Sequence, residues 1–486
     1  MIYIQPEDRN QLKMMSSLDL SISSDNPVRI IDVLVEKIYN SQKDKLNKEK
    51  RNNIGRPKYQ EITFLKLYLY GYLHGISSSR KLESETQRNI EVMWLLGNLR
   101  PDHWVISNYR KENGESIKHL TKEFRKFLRA TGYIEGKTLA IDGTKIKAYT
   151  SKDMLTVKKI DKRLEKLDKK IEEYLEQLQS NDMLESLEEE QEAQDIDEGI
   201  NKILLDKYIV AQEKIEKLEE AKKFLEDNDR TSASMSDKEA LLMRSRDGFI
   251  PAYNVQSGVD SKYKMIADTE VTDDANDLNQ LEAMVNSLEE ELGKKPEEVL
   301  ADKGYYNPKA IEKVELDEDV KCYVAIPKEK EEVAEFEYDK EKDEYICSEG
   351  KQLVLKQKNK ERKNGYADMY QGIECDGCKE RVECTKAKNG RIIHRPTNVE
   401  WIESYKKRME QVSSKVKVNK RKSIVEHPFG TLKYWMGKIP FLLRGKEKVS
   451  TEINLYSTAY NIKRLLNIES FDAIIAIIVG YDWVAE

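Results

Sequence analysis

The sequence predicts a mixed α/β (α+β) chain in which a core of alternating strands and helices follows a helical region and is interrupted by two insertions. Three observations predict this. Apolar residues recur at three- and four-residue steps within residues 27 to 133. Strand-like runs alternate with helical ones from Thr138 onward. Two stretches, 155 to 228 and 328 to 400, break that alternation. The resulting organisation is a helical domain over 1–133 and a core built from 134–154, 231–327 and 401–470. A coiled-coil hairpin occupies 155–230 and a small β insertion 328–400.

With 486 residues and 39% apolar content, the chain can bury a sizeable core and divide into two or three folding units. Charged residues make up 35%, and the formal net charge is -6. That average conceals a strong asymmetry. Residues 155 to 228 hold 13 Lys+Arg against 22 Asp+Glu, a net of -9, so the remainder sums to -6 - (-9) = +3. Residues 401 to 450 hold 13 basic against 4 acidic, a net of +9. A polyanion at close range meets such a local cluster rather than the total. The start, MIYIQPEDRN, has no basic segment leading into an apolar one, so export is not expected. The tail FDAIIAIIVG is about half a bilayer span and reads as a buried helix end. Five cysteines in so long a chain make no disulfide scaffold, and the expected compartment is a reducing cytoplasm.

In EITFLKLYLYGYLHGI, Ile62, Leu65, Leu69, Tyr72 and Leu73 mark one buried helix face. ISSSRKLE offers a serine N-cap, and PDHWVISNYRKENG repeats the arrangement with Ser107 ahead of Asn108, Arg110 and Lys111. The region is either a helix-turn-helix lying on DNA or a packing or dimerisation domain with Trp94, Trp104 and Tyr109 in its core. From Thr138, TLAIDGTKIKA reads as a strand in which Asp142 ends the apolar run and Gly143 follows. Leu164, Leu167, Ile171, Tyr174, Leu175 and Leu178, with dense charge between them, predict two long antiparallel helices as a coiled-coil hairpin, either a solvated charged face without direct chemistry or a functional dimer contact or arm. Past a polar joint, FIPAYNVQSGVD and KYKMIADTEVTDD form a hairpin turning at Ser261 and Lys262. A helix follows, then a strand ending at Asp302, a short helix through Val314 and the strand KCYVAIPK. This is the order of an RNase H-like sheet, in which the first strand is central and the fourth lies beside it.

The small insertion opens with a hairpin, EYDKEKDEYICSEGKQLVLKQK, and places Cys347, Cys375, Cys378 and Cys384 as C-x27-C-x2-C-x5-C. The Cys375–Cys378 spacing suits two thiolates on one structural zinc, and four unlinked thiols are the alternative. Cys322 reads as core. The closing basic segment is helical apart from Pro428 and Gly430, and a last helix carries Ile453, Leu455, Ala459, Ile462 and Leu466 onto the sheet.

Chemistry enters through three acids. Asp142 and Asp302 each end a strand-like run, and Glu426 stands among Lys420, Arg421, Lys422, His427 and Lys433. Breaking a phosphodiester requires an attacking oxygen, a leaving oxygen and neutralised charge at phosphorus, and two Mg2+ ions shared by three carboxylates supply all of these. Five histidines are too few for a zinc hydrolase, and carboxylates suit Mg2+, with Mn2+ as a substitute. Lys303, Arg421, Lys422, His427 and Lys433 are the candidate DNA contacts, binding phosphates without reading sequence. Each aspartate alone has a turn or cap role as its alternative. Asp268, Asp273, Asp274 and Asp277 form a second acidic group, read as caps and turns, with Asp277 placed to help the site.

AIDGTKIKA, ADKGYYNPKAI and VEHPFGTLKYWMG, in that order, resemble the bacterial insertion-sequence transposases of the DDE type. Residues 60 to 133 resemble their helical InsH-like N-terminal domain. The resemblance implies an RNase H-like catalytic domain, two Mg2+ ions, binding of terminal inverted repeats, and strand transfer into target DNA. Bacterial cytoplasm at the nucleoid, a homodimer on DNA and no membrane follow from it. Asp142, Asp302 and Glu426 take the places of the catalytic acids. In the Tyr, Arg, Glu, Lys signature of related transposases, Lys433 fits the last place, Lys422 stands for the arginine with Arg421 beside it, and Asn419 stands for the tyrosine. The alternatives are a nuclease of the same fold that cuts without joining, and a non-catalytic DNA-binding protein descended from a transposase.

Overall fold

The structure is a computed structural model that describes residues 17–41, 58–185, 191–245, 248–317, 319–328, 336–362, 365–436 and 441–483. Among the described residues, a short 3-10 helix (Leu18–Ser21) is followed by six α-helices before the first strand: α1 (Val28–Ser41), α2 (Glu61–Leu73), α3 (Ser79–Arg88), α4 (Ile90–Leu95), α5 (His103–Glu112) and α6 (Gly114–Ala130). The single buried face expected for α2 is a correction: every residue from Thr63 to Tyr72 is buried. An apolar residue at nearly every position makes this a core helix rather than a surface one. Its one cation, Lys66, pairs with Asp32 at 2.5 Å and Glu36 at 2.9 Å on α1. The cap of α5 is a second correction. Asp102 accepts from the Val105 N–H at 2.9 Å, and Ser107 lies inside the helix. Of the three aromatics read as core, Tyr109 is buried, Trp94 packs partly, and Trp104 is 67% exposed.

The main sheet comprises β1 (Thr138–Lys147), β4 (Leu241–Ser245), β5 (Gly248–Asp260), β6 (Ile266–Thr272), β7 (Glu298–Ala301) and β8 (Lys321–Val324). β1 is central, antiparallel to β5 and parallel to β7, and β8 continues beyond β7. β5 is long enough to pair with β4 near its start and β6 further on. This is the RNase H-like order that the sequence predicts. β4 occupies the stretch read as a polar joint, where alternation is too weak to announce a strand. Helices α9 (Gln280–Leu292) and α10 (Pro308–Asp317) make the crossovers around β7.

Between β1 and β4, β2 (Met154–Leu155) pairs with β3 (Ala233–Ser234), and from that base rise α7 (Val157–Glu185) and α8 (Gln191–Asp227). The start of one packs on the end of the other, through Leu155, Ile160, Leu218, Ala221 and Leu225, so the pair is antiparallel. Further out, Leu175, Ile203, Ile209 and Val210 stay exposed.

The second insertion is larger than the hairpin read from sequence. It is an antiparallel meander of β9 (Phe336–Asp339), β10 (Glu344–Cys347), β11 (Gln352–Arg362), β12 (Gly365–Gly372) and β13 (Ile392–Pro396), with the short α11 (Arg381–Cys384) before its last strand. Four helices close the chain: α12 (Val399–Glu410), α13 (Val412–Met436), α14 (Lys446–Ile468) and α15 (Phe471–Gly480). The expected interruption at Pro428 and Gly430 is corrected, since α13 runs through both. α14 is buried from Thr451 to Ile462 between β6, α2 and α6, so the early helices and the sheet share one core. Buried Arg125 of α6 fastens the two, pairing with Asp268 of β6 at 2.9 Å and Glu291 of α9 at 3.3 Å. Asp268 is therefore a buried ion-pair partner and not a turn residue. Among the described residues, no helix is long and apolar enough to cross a membrane.

Candidate active site

The pairing of β1 with β7 sets the site. Thr138, Leu139 and Ala140 lie opposite Glu298, Val299 and Leu300, and the same offset continued two residues on sets Asp142 opposite Asp302. Neighbouring strands are about 4.8 Å apart and side chains alternate, so both acids leave the sheet on one face. Asp142 is mid-strand and not at a strand end, because β1 continues to Lys147. Asp302 follows the last residue of β7 and caps a short 3-10 helix, its Oδ1 accepting from Gly304 N at 2.7 Å.

α13 packs on β1 and β7 and covers this face. Lys417 pairs with Glu298, and one turn later the buried Arg421 lies 3.3 Å from Asp142 Oδ1. Burial raises the Asp142 carboxyl to about 6; Arg421 opposes the shift, and Asp302 and Asp277 add to it. The arginine facing the acids is thus Arg421, while Lys422, in the place that the family signature gives to arginine, is exposed.

Asp277 joins from the loop after β6. Its Oδ1 accepts from Asn254 Nδ2 and Gln256 Nε2, both at 2.7 Å, and Gln256 Oε1 in turn accepts from the buried Tyr305 hydroxyl. Two glycines make the room. A Cβ on Gly143 would stand 2.6 Å from Asp277 Oδ1, and one on Gly304 would stand 2.9 Å from Asp302 Oδ1 and 3.5 Å from Asp277 Oδ2. Asn254 Oδ1 is buried there without a hydrogen-bond partner. Carboxylate oxygens, an unpartnered amide oxygen and space cleared by missing side chains fit hard divalent cations.

Glu426 is five residues past Arg421 on α13, about 140° further around the helix, and exposed. Its direction differs from that of Arg421, and among the described residues no three His, Cys, Asp or Glu side chains are grouped closely enough to hold a metal ion. The structure thus brings Asp142, Asp302 and Asp277 into one neighbourhood, while Glu426 is exposed on α13. Lys303 is exposed beside Asp302. His427 bonds Tyr460 through Nδ1 at 2.9 Å and lines a groove of about 360 Å³ with Lys463 and Arg464. Burial and the charges of Arg464 and Lys264 lower its pKa. The side chain of Lys433 lies outside the described residues. Asn254 and Gln256 were not legible as site residues, since polar residues inside a strand carry no spacing signal; Arg421 reads as a DNA contact in the sequence, and the structure sets it against Asp142.

Cys347, Cys375, Cys378 and Cys384 line a single small cavity in the β insertion. Cys322 is buried elsewhere, in β8.

Two family models match the chain. Residues 346–466 match the transposase DDE domain, and residues 16–112 match a transposase domain, DUF772. Both agree with the resemblance to DDE-type insertion-sequence transposases and support a DNA-processing enzyme. The DDE match includes Glu426 and begins after Asp142 and Asp302. No curated protein matches. Among solved structures, the piggyBac transposase synaptic complex with hairpin DNA aligns at 9% identity over 93% of this chain and 79% of that one. Its TM-score of 0.29 is too low for the likeness to bear on function.

Proposed function

We propose that this chain is a DNA transposase that binds the terminal inverted repeats of an insertion sequence, cuts at its ends and joins them to target DNA. The observation that carries the reading is Asp142 on β1 level with Asp302 just past the end of the parallel neighbour β7, beneath a helix that also bears Glu426. The two transposase family matches support it.

Asp142 and Asp302 would hold divalent cations, two Mg2+ in the proposal, with Glu426 as the third acid. When bound, the pair would activate the attacking oxygen and stabilise the leaving one. The protein's own residues do the rest. The strand pairing fixes two carboxylates on one face before DNA arrives, and Asn254 and Gln256 orient Asp277. Lys303 and Lys422 are exposed around the acids, with Lys463 and Arg464 lining the groove at His427, and these cations meet the phosphates. Strand transfer requires two ends in one assembly, so a homodimer on bacterial DNA belongs to the proposal.

One competing assignment has an observation behind it. Asp277 acts electrostatically on Asp142, which makes it a rival to Glu426 as third acid. The test is Mg2+-dependent cleavage and strand transfer on the element's own end sequences. Asp142→Asn and Asp302→Asn should each lower both rates by at least about 10³-fold, the scale on which transition-state charge stabilisation is lost. A comparable loss in Glu426→Gln but not Asp277→Asn assigns the third acid, and the reverse result moves it to Asp277. Cleavage unchanged by Asp142→Asn would end the reading.

A further inference from the structure

We infer that Cys347, Cys375, Cys378 and Cys384 hold one zinc ion, and that this ion, in place of an apolar core, holds the five-stranded insertion together. The inference is independent of the DNA chemistry.

The insertion has almost no core of its own. Among its described residues only Leu353, Ala367 and Tyr370 are buried apolar side chains, and none of them belongs to either hydrophobic cluster of the chain. A sheet of about sixty residues with so little apolar burial needs a covalent or metal staple.

The four thiols are where a staple would be. They come from the end of β10, the loop after β12 and the end of α11, and they line one enclosed cavity of about 40 Å³. Two tight turns present them. Cys347 O accepts from Gly350 N at 2.8 Å while Cys347 N donates to Lys351 O at 3.0 Å, and Cys375 O accepts from Cys378 N at 3.3 Å. Each turn contains a left-handed glycine, Gly350 at φ +71 and Gly377 at φ +76, a conformation that other residues resist. Around Cys375 the backbone is shaped to the sulfur. Arg391 N donates to its Sγ at 3.4 Å, and a Cβ on Gly372 or Gly390 would stand 2.5 or 3.0 Å from it.

Among the described residues no three of these groups stand at ligand distance as they are. Binding therefore turns the side chains inward, and each of the four thiols gives up its proton to water as its Zn–S bond forms. The resulting site has a charge of about -2. Arg391, which lines the same cavity and acts on Cys384, offsets part of it; Arg381 is paired with Asp376, and Glu349 and Glu380 also line the cavity.

The test uses the full chain purified under reducing conditions. Elemental analysis should find about one zinc per chain, and the double variant Cys375→Ser/Cys378→Ser should lose most of it. Should that variant misfold, the unmodified chain stripped and reloaded with cobalt(II) should show thiolate-to-cobalt charge transfer and the intense visible bands of a tetrahedral site. Removing the metal should accelerate amide exchange across residues 336–396 while α14 stays protected. A reduced chain free of metal, zinc retained by the double variant, or cobalt spectra without thiolate bands would each overturn the inference, as would two disulfides among the four sulfurs.

Discussion

Arg421 Nη1 lies 3.3 Å from Asp142 Oδ1, and that nitrogen has no hydrogen-bond partner. The acid at the centre of β1 thus faces a buried cation on α13 at contact distance but without hydrogen-bond geometry, and burial still outweighs that cation in raising the carboxyl. A divalent cation arriving at Asp142 meets that charge first. Arg421→Gln should therefore tighten Mn2+ binding at pH 8 by roughly threefold to tenfold, because a like charge at this range disfavours the incoming ion. Titration calorimetry reads the change, and an unaltered affinity would place Arg421 away from the ion.

Proton release at Asp142 should govern metal affinity. Its folded pKa of about 6 exceeds the ordinary 3.8. The stability that it contributes is complete below about 4 and is lost as pH rises through 6. Metal binds the deprotonated form, so Mn2+ affinity should climb about tenfold per pH unit below 6 and level off above 7. A flat profile between pH 5 and 8 would contradict this assignment, and Asp142→Asn should abolish the slope.

Gly143 lets Asp277 approach the strand. In Gly143→Ala, the new methyl would stand 2.6 Å from both Asp277 Oδ1 and Gln256 Nε2, the acceptor and donor of one hydrogen bond. Overpacking of this kind costs about 1–3 kcal/mol, to be read as a lower urea midpoint. Stability equal to that of the parent would mean that the Asp277 loop shifts freely.

Arg125 joins the early helices to the sheet. Arg125→Met leaves buried Asp268 without its cation, which costs about 3–5 kcal/mol. Burial already raises the Asp268 pKa, so the variant should recover part of its stability at acidic pH, where the lone carboxyl is neutral. Arg125→Met/Asp268→Leu should regain more. A thermal midpoint unaffected by the single change would show that the two parts are held by apolar packing alone.

Much of this architecture is written in local pattern. Alternation from Thr138 gives the central strand, Ser261 and Lys262 mark the β5–β6 turn, and the charged apolar repeat between residues 155 and 228 gives the long hairpin. Such signals survive because each depends on neighbours a few residues away. Two site acids were legible for the same reason, since each interrupts an apolar run ahead of a glycine. Elements whose form depends on distant partners were not. α2 reads as one-sided because a wheel cannot reveal that α14 covers its other flank, and the meander around the cysteines reads as one hairpin because its later strands carry no alternation. Pro428 reads as a break, yet packing of Ile424, Val425, Phe429 and Leu432 holds α13 through it.

The sequence by itself determined the kinds of element, their order and the acids Asp142, Asp302 and Glu426 as candidates, because periodicity and residue chemistry are local properties. Only the tertiary structure decided which of them meet. The parallel register, continued two residues past Ala140 and Leu300, sets Asp142 opposite Asp302, the rotation of α13 turns Arg421 toward Asp142, and the β6 loop adds Asp277. Strand register and helix rotation are fixed by burial summed over contacts far apart in the chain, and no window of sequence contains that sum.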